Sequence, residues 1–274
     1  MKHQEFYFNS HKKQLFGQYW KPQHIRGVVV LVHGMGEHSG RYSDFVVPEL
    51  IDKGFAVISF DHFGHGHSEG KRGHCPNYQA LLDSVKEVLN KSKDVFGNQP
   101  TFLYGHSMGG NVVLNYIMRR HPNIKGGVVT SPFLRLAFQP PKWKLILGKI
   151  MLRIYPSITL PSGLDPQAIS RIEGEVKKYK DDKLVHDKVS PVFSFPVIEA
   201  GKYAIDMSHT LTVPLLVLHG TGDQLVDHKA TVEFAKSAPN TTLKLYQGGY
   251  HELHNDLERE DVIKTITDWM ESML

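Results

Sequence analysis

The chain has 274 residues, 41% apolar and 22% charged, with a formal net charge of +4 and a single cysteine. That is enough chain to bury a large core as one domain, and the lone Cys75 excludes an internal disulfide framework and suits a reducing cytoplasm. The charge is too small to argue for nucleic acid, no apolar run approaches the roughly 18–20 residues of a membrane span, and the N-terminus lacks an apolar stretch long enough for a secretory signal.

Taken in order, residues 5–8 and 14–20 predict an antiparallel hairpin at a sheet edge. Buried-strand signals follow at 27–36, 55–66, 101–104, 126–132, 214–223 and 242–249, most of them ending in glycine-rich turns. Their near-continuous Val, Ile and Leu, without alternation, suits strands covered on both faces, as in a parallel sheet. Helical periodicity lies between them, at about 41–53, 77–95, 108–120, 228–238 and 255–272. Alternating strands and helices imply right-handed crossovers and an α/β, doubly wound, mostly parallel sheet. Residues 133–200 interrupt that rhythm with prolines (Pro140, Pro141, Pro156, Pro161, Pro166), a helical stretch at 142–155 and a polar segment. The expected organisation is therefore a core of 1–132 and 201–274, with 133–200 inserted as a helical cap over the carboxyl ends of the strands, where α/β ligands bind. The whole +4 excess lies in the middle, since 132–200 carry eleven Lys or Arg against seven Asp or Glu.

The stretch "GHSMG", 105–109, stands where a strand becomes a helix and fits G-x-S-x-G. Such a turn strains the serine backbone and exposes Oγ, and the flanking glycines leave room where strand and helix approach. The bland alternative is a serine that merely caps the helix. A serine hydroxyl needs a base, and the base needs an acid to orient it. In this fold the chain order is Ser, then Asp or Glu, then His. Asp223 ends the strand of "LLVLHGTGD", and His251 follows the last strand in "LYQGGYHELHND". Asp227 is a rival acid that better suits the cap of the helix near 228, and His254 is a rival base. The early turn "VHGMGEH" then nominates the backbone N–H of Met35, with that of Met108, as an oxyanion hole. "HELH" is one residue short of H-E-x-x-H, and the four histidines of "DHFGHGHSEGKRGH" (His62, His65, His67, His74) sit in a glycine-rich turn, so no metal is expected. His33 is read as a brace for the oxyanion turn.

"HGMGEHSGRY", "FDHFGHGHSEG", "GHSMGG", "LHGTGDQLVD" and "YHELHND" together resemble the monoacylglycerol lipase branch of the α/β-hydrolase-fold serine hydrolases over nearly the whole chain. The resemblance implies a Ser107/Asp223/His251 triad with Met35 and Met108 as oxyanion amides, acting on monoacylglycerol through an acyl-enzyme and without a cofactor. It also places glycerol-binding polar groups at Glu37, Arg41, His254 and Tyr179; Glu37 and Arg41 could instead form a simple ion pair. Lysophospholipase or broad carboxylesterase activity is the alternative within the same chemistry. A non-catalytic ligand-binding member of the fold is a third reading, disfavoured because all three triad positions are filled.

The cap stretch 142–155 puts Trp143, Ile146, Leu147, Ile150, Met151 and Ile154 on one helical face. Leu145 and Leu152 form a second strip, and Lys142, Lys149 and Arg153 a basic stripe between. A helix packed only on its own domain needs one apolar face. A second one suggests an acyl chain, a sister subunit or a membrane surface, and the basic stripe suits anionic headgroups, so transient peripheral membrane contact is expected.

Overall fold

A computed structural model describes residues 1–139 and 141–274 of the chain; Pro140, counted among the prolines of the insertion, and the side chains of Lys142, placed on the basic stripe, and Lys144 lie outside what it describes. The strands are β1 (Lys2–Ser10), β2 (Lys13–Lys21), β3 (Gly27–Val32), β4 (Phe55–Phe60), β5 (Thr101–His106), β6 (Gly126–Thr130), the short β7 (Leu160–Pro161) and β8 (Lys188–Val189), then β9 (Leu215–Gly220) and β10 (Thr241–Tyr246). The main sheet runs β1-β2-β4-β3-β5-β6-β9-β10, and β7 pairs only with β8 inside the insertion. β1 pairs antiparallel with β2 and β2 with β4; every later pairing in this sheet is parallel. The α/β expectation is met, with the hairpin at the edge. Its strands are longer than predicted and are joined at His11 and Lys12, both at positive φ, as a two-residue type I′ turn requires.

The helices are α1 (Val46–Asp52), α2 (Tyr78–Phe96), α3 (Met108–Arg120), α4 (Lys142–Ile154), α5 (Glu173–Asp181), α6 (Pro191–Asp206), α7 (His228–Ser237) and α8 (Arg259–Glu271). Alternation along β3 explains the unbroken valines. Val28, Val30 and Val32 join the core under α2, α3, α6 and α7, while Val29 and Leu31 join the core under α1 and α8. Each such side chain, fully buried, stabilises the fold by about 1.5–3 kcal/mol. Strands stop where the glycine turns begin, so the predicted spans 27–36 and 55–66 shorten to six residues each. The helix expected over 41–53 divides into a 3-10 turn at Ser39–Tyr42 and α1.

The insertion rises from β6. Position 200, where the sequence reading ends it, falls inside α6, one continuous helix seated on α3. The seat is polar as well as apolar: the Asn111 side-chain amide donates to the carbonyls of Phe133 (2.7 Å) and Val197 (3.1 Å), and that of Asn115 to Ala200 (3.0 Å). α4 in turn lies on α6 at Gly148, where an added Cβ would come 3.0 Å from the Phe195 ring. That contact turns the Trp143, Ile146, Ile150 and Ile154 face outward, at 62%, 60%, 46% and 72% exposure, while Met151 and Leu152 are half-buried.

Candidate active site

β5 delivers Ser107 at its carboxyl end with φ 54° and ψ −117°, a conformation that costs a non-glycine residue about 1–3 kcal/mol. Three backbone bonds hold it: Ser107 N–H donates to Thr130 O (2.9 Å), and Ser107 O accepts from Asn111 N–H (3.0 Å) and Phe133 N–H (2.9 Å). Its flanking glycines are sterically required. A Cβ on Gly105 would lie 2.4 Å from the Gly109 carbonyl oxygen, and one on Gly109 would lie 2.0 Å from that of Val32. Although Ser107 occupies the N-cap position of α3, its hydroxyl makes no cap bond. It lies instead 2.9 Å from His251 Nε2.

His251 hangs from the loop after β10, and its carbonyl accepts from the Ser131 hydroxyl (2.7 Å). Its Nδ1 is 2.6 Å from Asp223 Oδ2. Asp223 follows β9, and its Oδ1 accepts from the N–H groups of Leu225 (2.8 Å) and Val226 (3.0 Å). Burial alone would raise the Asp223 carboxyl, but the two imidazoles beside it, His251 and His219, hold it well below the usual carboxylate range. Burial opposes a charged His251, yet Asp223, with Glu252 and Glu37 beyond it, lifts the imidazole above its ordinary value. Because an ionised carboxylate only accepts, Nδ1 of His251 carries the proton, and bare Nε2 faces the serine hydroxyl. Asp227 lies elsewhere: it caps α7, accepting from Lys229 N–H (2.9 Å), and pairs with Arg135.

Met35 sits in the turn after β3, which packs on the serine elbow; a Cβ on Gly34 would be 3.2 Å from that of Ser107. The turn is braced by His33, whose Nδ1 donates to Gly34 O (2.7 Å) while its Nε2 accepts from His62 N–H (3.0 Å). Burial lowers His33 to about 3, which keeps it neutral. Neither the Met35 nor the Met108 amide donates to a group among the described residues. Met108 opens α3, at the positive end of the helix dipole.

The site faces a narrow cavity of about 40 Å³, space for a few waters, with Glu37, Ser107, Tyr179, His251 and Glu252 on its wall and Leu164, Pro166 and Ile169 of the insertion over it. Of the four polar groups expected at substrate, Glu37 and Tyr179 line this cavity, whereas Arg41 and His254 do not. Arg41 is buried in a charge cluster, donating to Glu37 Oε2 (2.9 Å) and to both oxygens of Glu252 (2.6 and 2.8 Å). Its guanidinium also lies 4.7 Å from the Tyr179 ring centre. Glu37 Oε1 accepts from Gly34 N–H (2.6 Å) and the Tyr42 hydroxyl (2.9 Å). Two buried carboxylates thus share one guanidinium. Burial raises both, but Arg41 brings Glu252 well below its usual range, while burial and the neighbouring Glu252 keep Glu37 above its own. His254 is buried against Tyr42, ring centres 5.0 Å apart, and burial lowers it to about 4.

Glu252 and His219 went unnoticed in the sequence. Glu252 follows His251 directly and His219 precedes Asp223 by four residues, but the partner of each, Arg41 or Thr231, declares itself only in three dimensions. Among the described residues no group of three or more His, Cys, Asp or Glu is placed to hold a metal ion. In the histidine-rich turn, Nδ1 of His65 contacts Phe63 O (2.9 Å) and Nδ1 of His74 contacts Ser190 Oγ (3.1 Å). Cys75 is buried, and burial pushes its thiol up to about 12.

Residues 23–258 match the family described as serine aminopeptidase, S33. A Dictyostelium discoideum abhydrolase domain-containing protein is 34% identical over 273 residues, which are 97% of this chain and 28% of that protein. The monoglyceride lipase of Rattus norvegicus is 32% identical over 269 residues, covering 96% of this chain and 88% of that enzyme. The crystal structure of Paleococcus ferrophilus monoacylglycerol lipase superposes with a TM-score of 0.87 at 33% identity, over 95% of this chain and 99% of that one. With the parallel sheet and the serine elbow, these matches show that the chain belongs to the serine aminopeptidase S33 family of α/β-hydrolase-fold serine hydrolases, on its monoacylglycerol lipase branch.

Proposed function

We propose that the chain cleaves monoacylglycerol to glycerol and a free fatty acid through an acyl-enzyme. The observation that carries this reading is the hydrogen-bonded line from Ser107 through His251 to Asp223, beside two amides with no acceptor among the described residues. His251 takes the Ser107 proton as Oγ attacks the ester carbonyl; Asp223 holds the ring in its working tautomer and stabilises the imidazolium. The Met35 and Met108 amides receive the oxyanion, each worth about 3–4 kcal/mol in the transition state. Glycerol leaves with the proton from His251, and water repeats the sequence on the acyl-enzyme. Every proton and charge is handled by protein groups, so the chemistry requires no cofactor.

The relatives named for monoacylglycerol support the substrate, as does a wall that combines acidic and phenolic groups (Glu37, Glu252, Tyr179) with apolar ones (Leu164, Ile169, Leu225). Residues 133–200 act as the cap in this reading, and they must shift, because the cavity is far too small for an acyl chain. A fluorophosphonate probe should label the wild type and not Ser107→Ala. Turnover of mono-, di- and triacylglycerols and lysophospholipids then tests the substrate: equal use of triacylglycerols overturns the substrate assignment, and labelling of Ser107→Ala overturns the nucleophile.

No helix among the described residues is long and apolar enough to cross a membrane. The outward face of α4, flanked by Lys149 and Arg153, supports transient docking of a cytoplasmic enzyme on anionic lipid. Ile150→Ser/Ile154→Ser should weaken co-sedimentation with anionic liposomes while sparing hydrolysis of a short soluble ester; unchanged sedimentation refutes the docking.

A further inference from the structure

Asp223 holds a second imidazole. His219, on β9 and fully buried, places Nε2 3.1 Å from Asp223 Oδ2, the oxygen that also receives His251 Nδ1. Its other nitrogen, Nδ1, lies 2.7 Å from Thr231 Oγ1, itself buried on α7. The proton positions follow from chemistry. The carboxylate only accepts, so Nε2 of His219 must donate; a neutral imidazole then has a bare Nδ1, and the Thr231 hydroxyl donates to it. With the two backbone N–H groups on Oδ1, the four acceptor directions of Asp223 are filled, two on each oxygen.

We infer that His219, oriented by Thr231, is a positioning residue: its Nε2–H fixes the Asp223 carboxylate toward His251 and draws off part of its negative charge, limiting how basic His251 becomes. This rests on the reading of Ser107, Asp223 and His251 as the reacting groups and adds to it a residue that touches none of the reacting atoms. Without this donor, Asp223 faces His251 with more charge and greater freedom to rotate. His251 then protonates at higher pH, and fewer molecules hold the ring aligned.

Other titratable groups surround both rings. His251 is flanked by Asp223, Glu37, Glu252, His106 and His254, and His219 by Asp223, His251 and His228 at the start of α7. Burial lowers His219 despite Asp223, so it stays neutral where the enzyme works. The variants below leave all these groups except His219 in place, so a shift in the profile is assigned to the Nε2–H.

The experiment compares pH profiles of kcat/KM for the wild type, His219→Leu, His219→Gln and Thr231→Val, with active sites counted by fluorophosphonate labelling. His219→Leu should raise the acid limb by about one pH unit and lower kcat about tenfold with KM little changed. His219→Gln, which returns an N–H near the Nε2 position, should recover the limb. Thr231→Val, which frees the tautomer, should shift it the same way by less. If His219→Leu does not fold, Thr231→Val and the low-field proton resonance of His251 Nδ1–H, titrated in His219→Gln, carry the same comparison. Loss of activity with the acid limb in place, or no recovery with Gln, overturns the inference. Failure of the wild type to label, or labelling of Ser107→Ala, overturns instead the reading it rests on.

Discussion

Gly109→Ala adds one carbon where there is no room for it. The new Cβ would lie 2.0 Å from Val32 O and 2.6 Å from His33 O, against a practical minimum of 3.0 Å, and the obstacle is backbone on both counts. α3 must therefore retreat from β3 by about 1 Å, carrying the Ser107 hydroxyl and the Met108 amide away from Met35 and His251; a misplacement of that size can cost about 100-fold in rate. Overpacking adds a stability loss of about 1–3 kcal/mol. The assay is fluorophosphonate labelling rate per folded molecule, with folded fraction taken from urea unfolding. We expect labelling to fall by about two orders of magnitude while most of the protein remains folded. A variant that is fully folded and labels within about twofold of wild type would refute the claim that this close approach sets the geometry of the site.

Four further outcomes follow from the same structure. His251 works as a base only when neutral and is held above its ordinary 6.5, so kcat/KM should decline on acidification with a midpoint above pH 6.5. In Asp223→Asn the nearest charge that raises His251 is gone while burial remains, so that limb should move downward while kcat falls about 10⁴-fold; an unmoved limb contradicts the pairing. Arg41→Met strands two buried carboxylates and should cost about 3–5 kcal/mol in urea unfolding. The sign of its pH dependence is diagnostic: Glu252, depressed by Arg41, stabilises the wild type above the ordinary carboxylate range and loses that contribution as pH falls, whereas the unpaired variant should gain stability on acidification. Gly174→Ala, at an exposed position of α5 with nothing within 4 Å of the new carbon, should stabilise by about 0.5 kcal/mol, seen as a small rise in thermal midpoint; a loss contradicts the open space around it.

What could be read from the chain was what local pattern determines. Continuous Val and Ile runs identified the covered strands because alternate residues of β3 feed two cores. The 108–120 helix was bounded correctly because the elbow starts it and His121, in the left-handed region, ends it. The region after His251 was harder. Residues 253–255 form a 3-10 turn and α8 starts only at Arg259, because the Asp256 carboxylate leaves the helix to accept from Tyr250 N–H and Arg171. Arg41 illustrates the deeper limit. Four residues from Glu37, it reads as a local pair or a substrate contact, but its strongest partner lies 211 positions away. The Glu252 carboxylate turns the guanidinium into a buried strut behind the wall. The two apolar strips on α4 were visible as a pattern, but how far each residue of them is exposed depends on where Gly148 meets Phe195.

The order of the three aligned residues along the chain has a consequence for synthesis. Ser107 leaves the ribosome first, and the imidazole it bonds waits on 144 further positions, the whole insertion and three more strands of the main sheet. A nascent or truncated chain that has formed the elbow therefore exposes only an ordinary alcohol, inert toward the esters around it. In the proposed reaction, reactivity appears with the final loop, so an acyl-accepting serine would report that translation has passed the imidazole and the far edge of the sheet has closed.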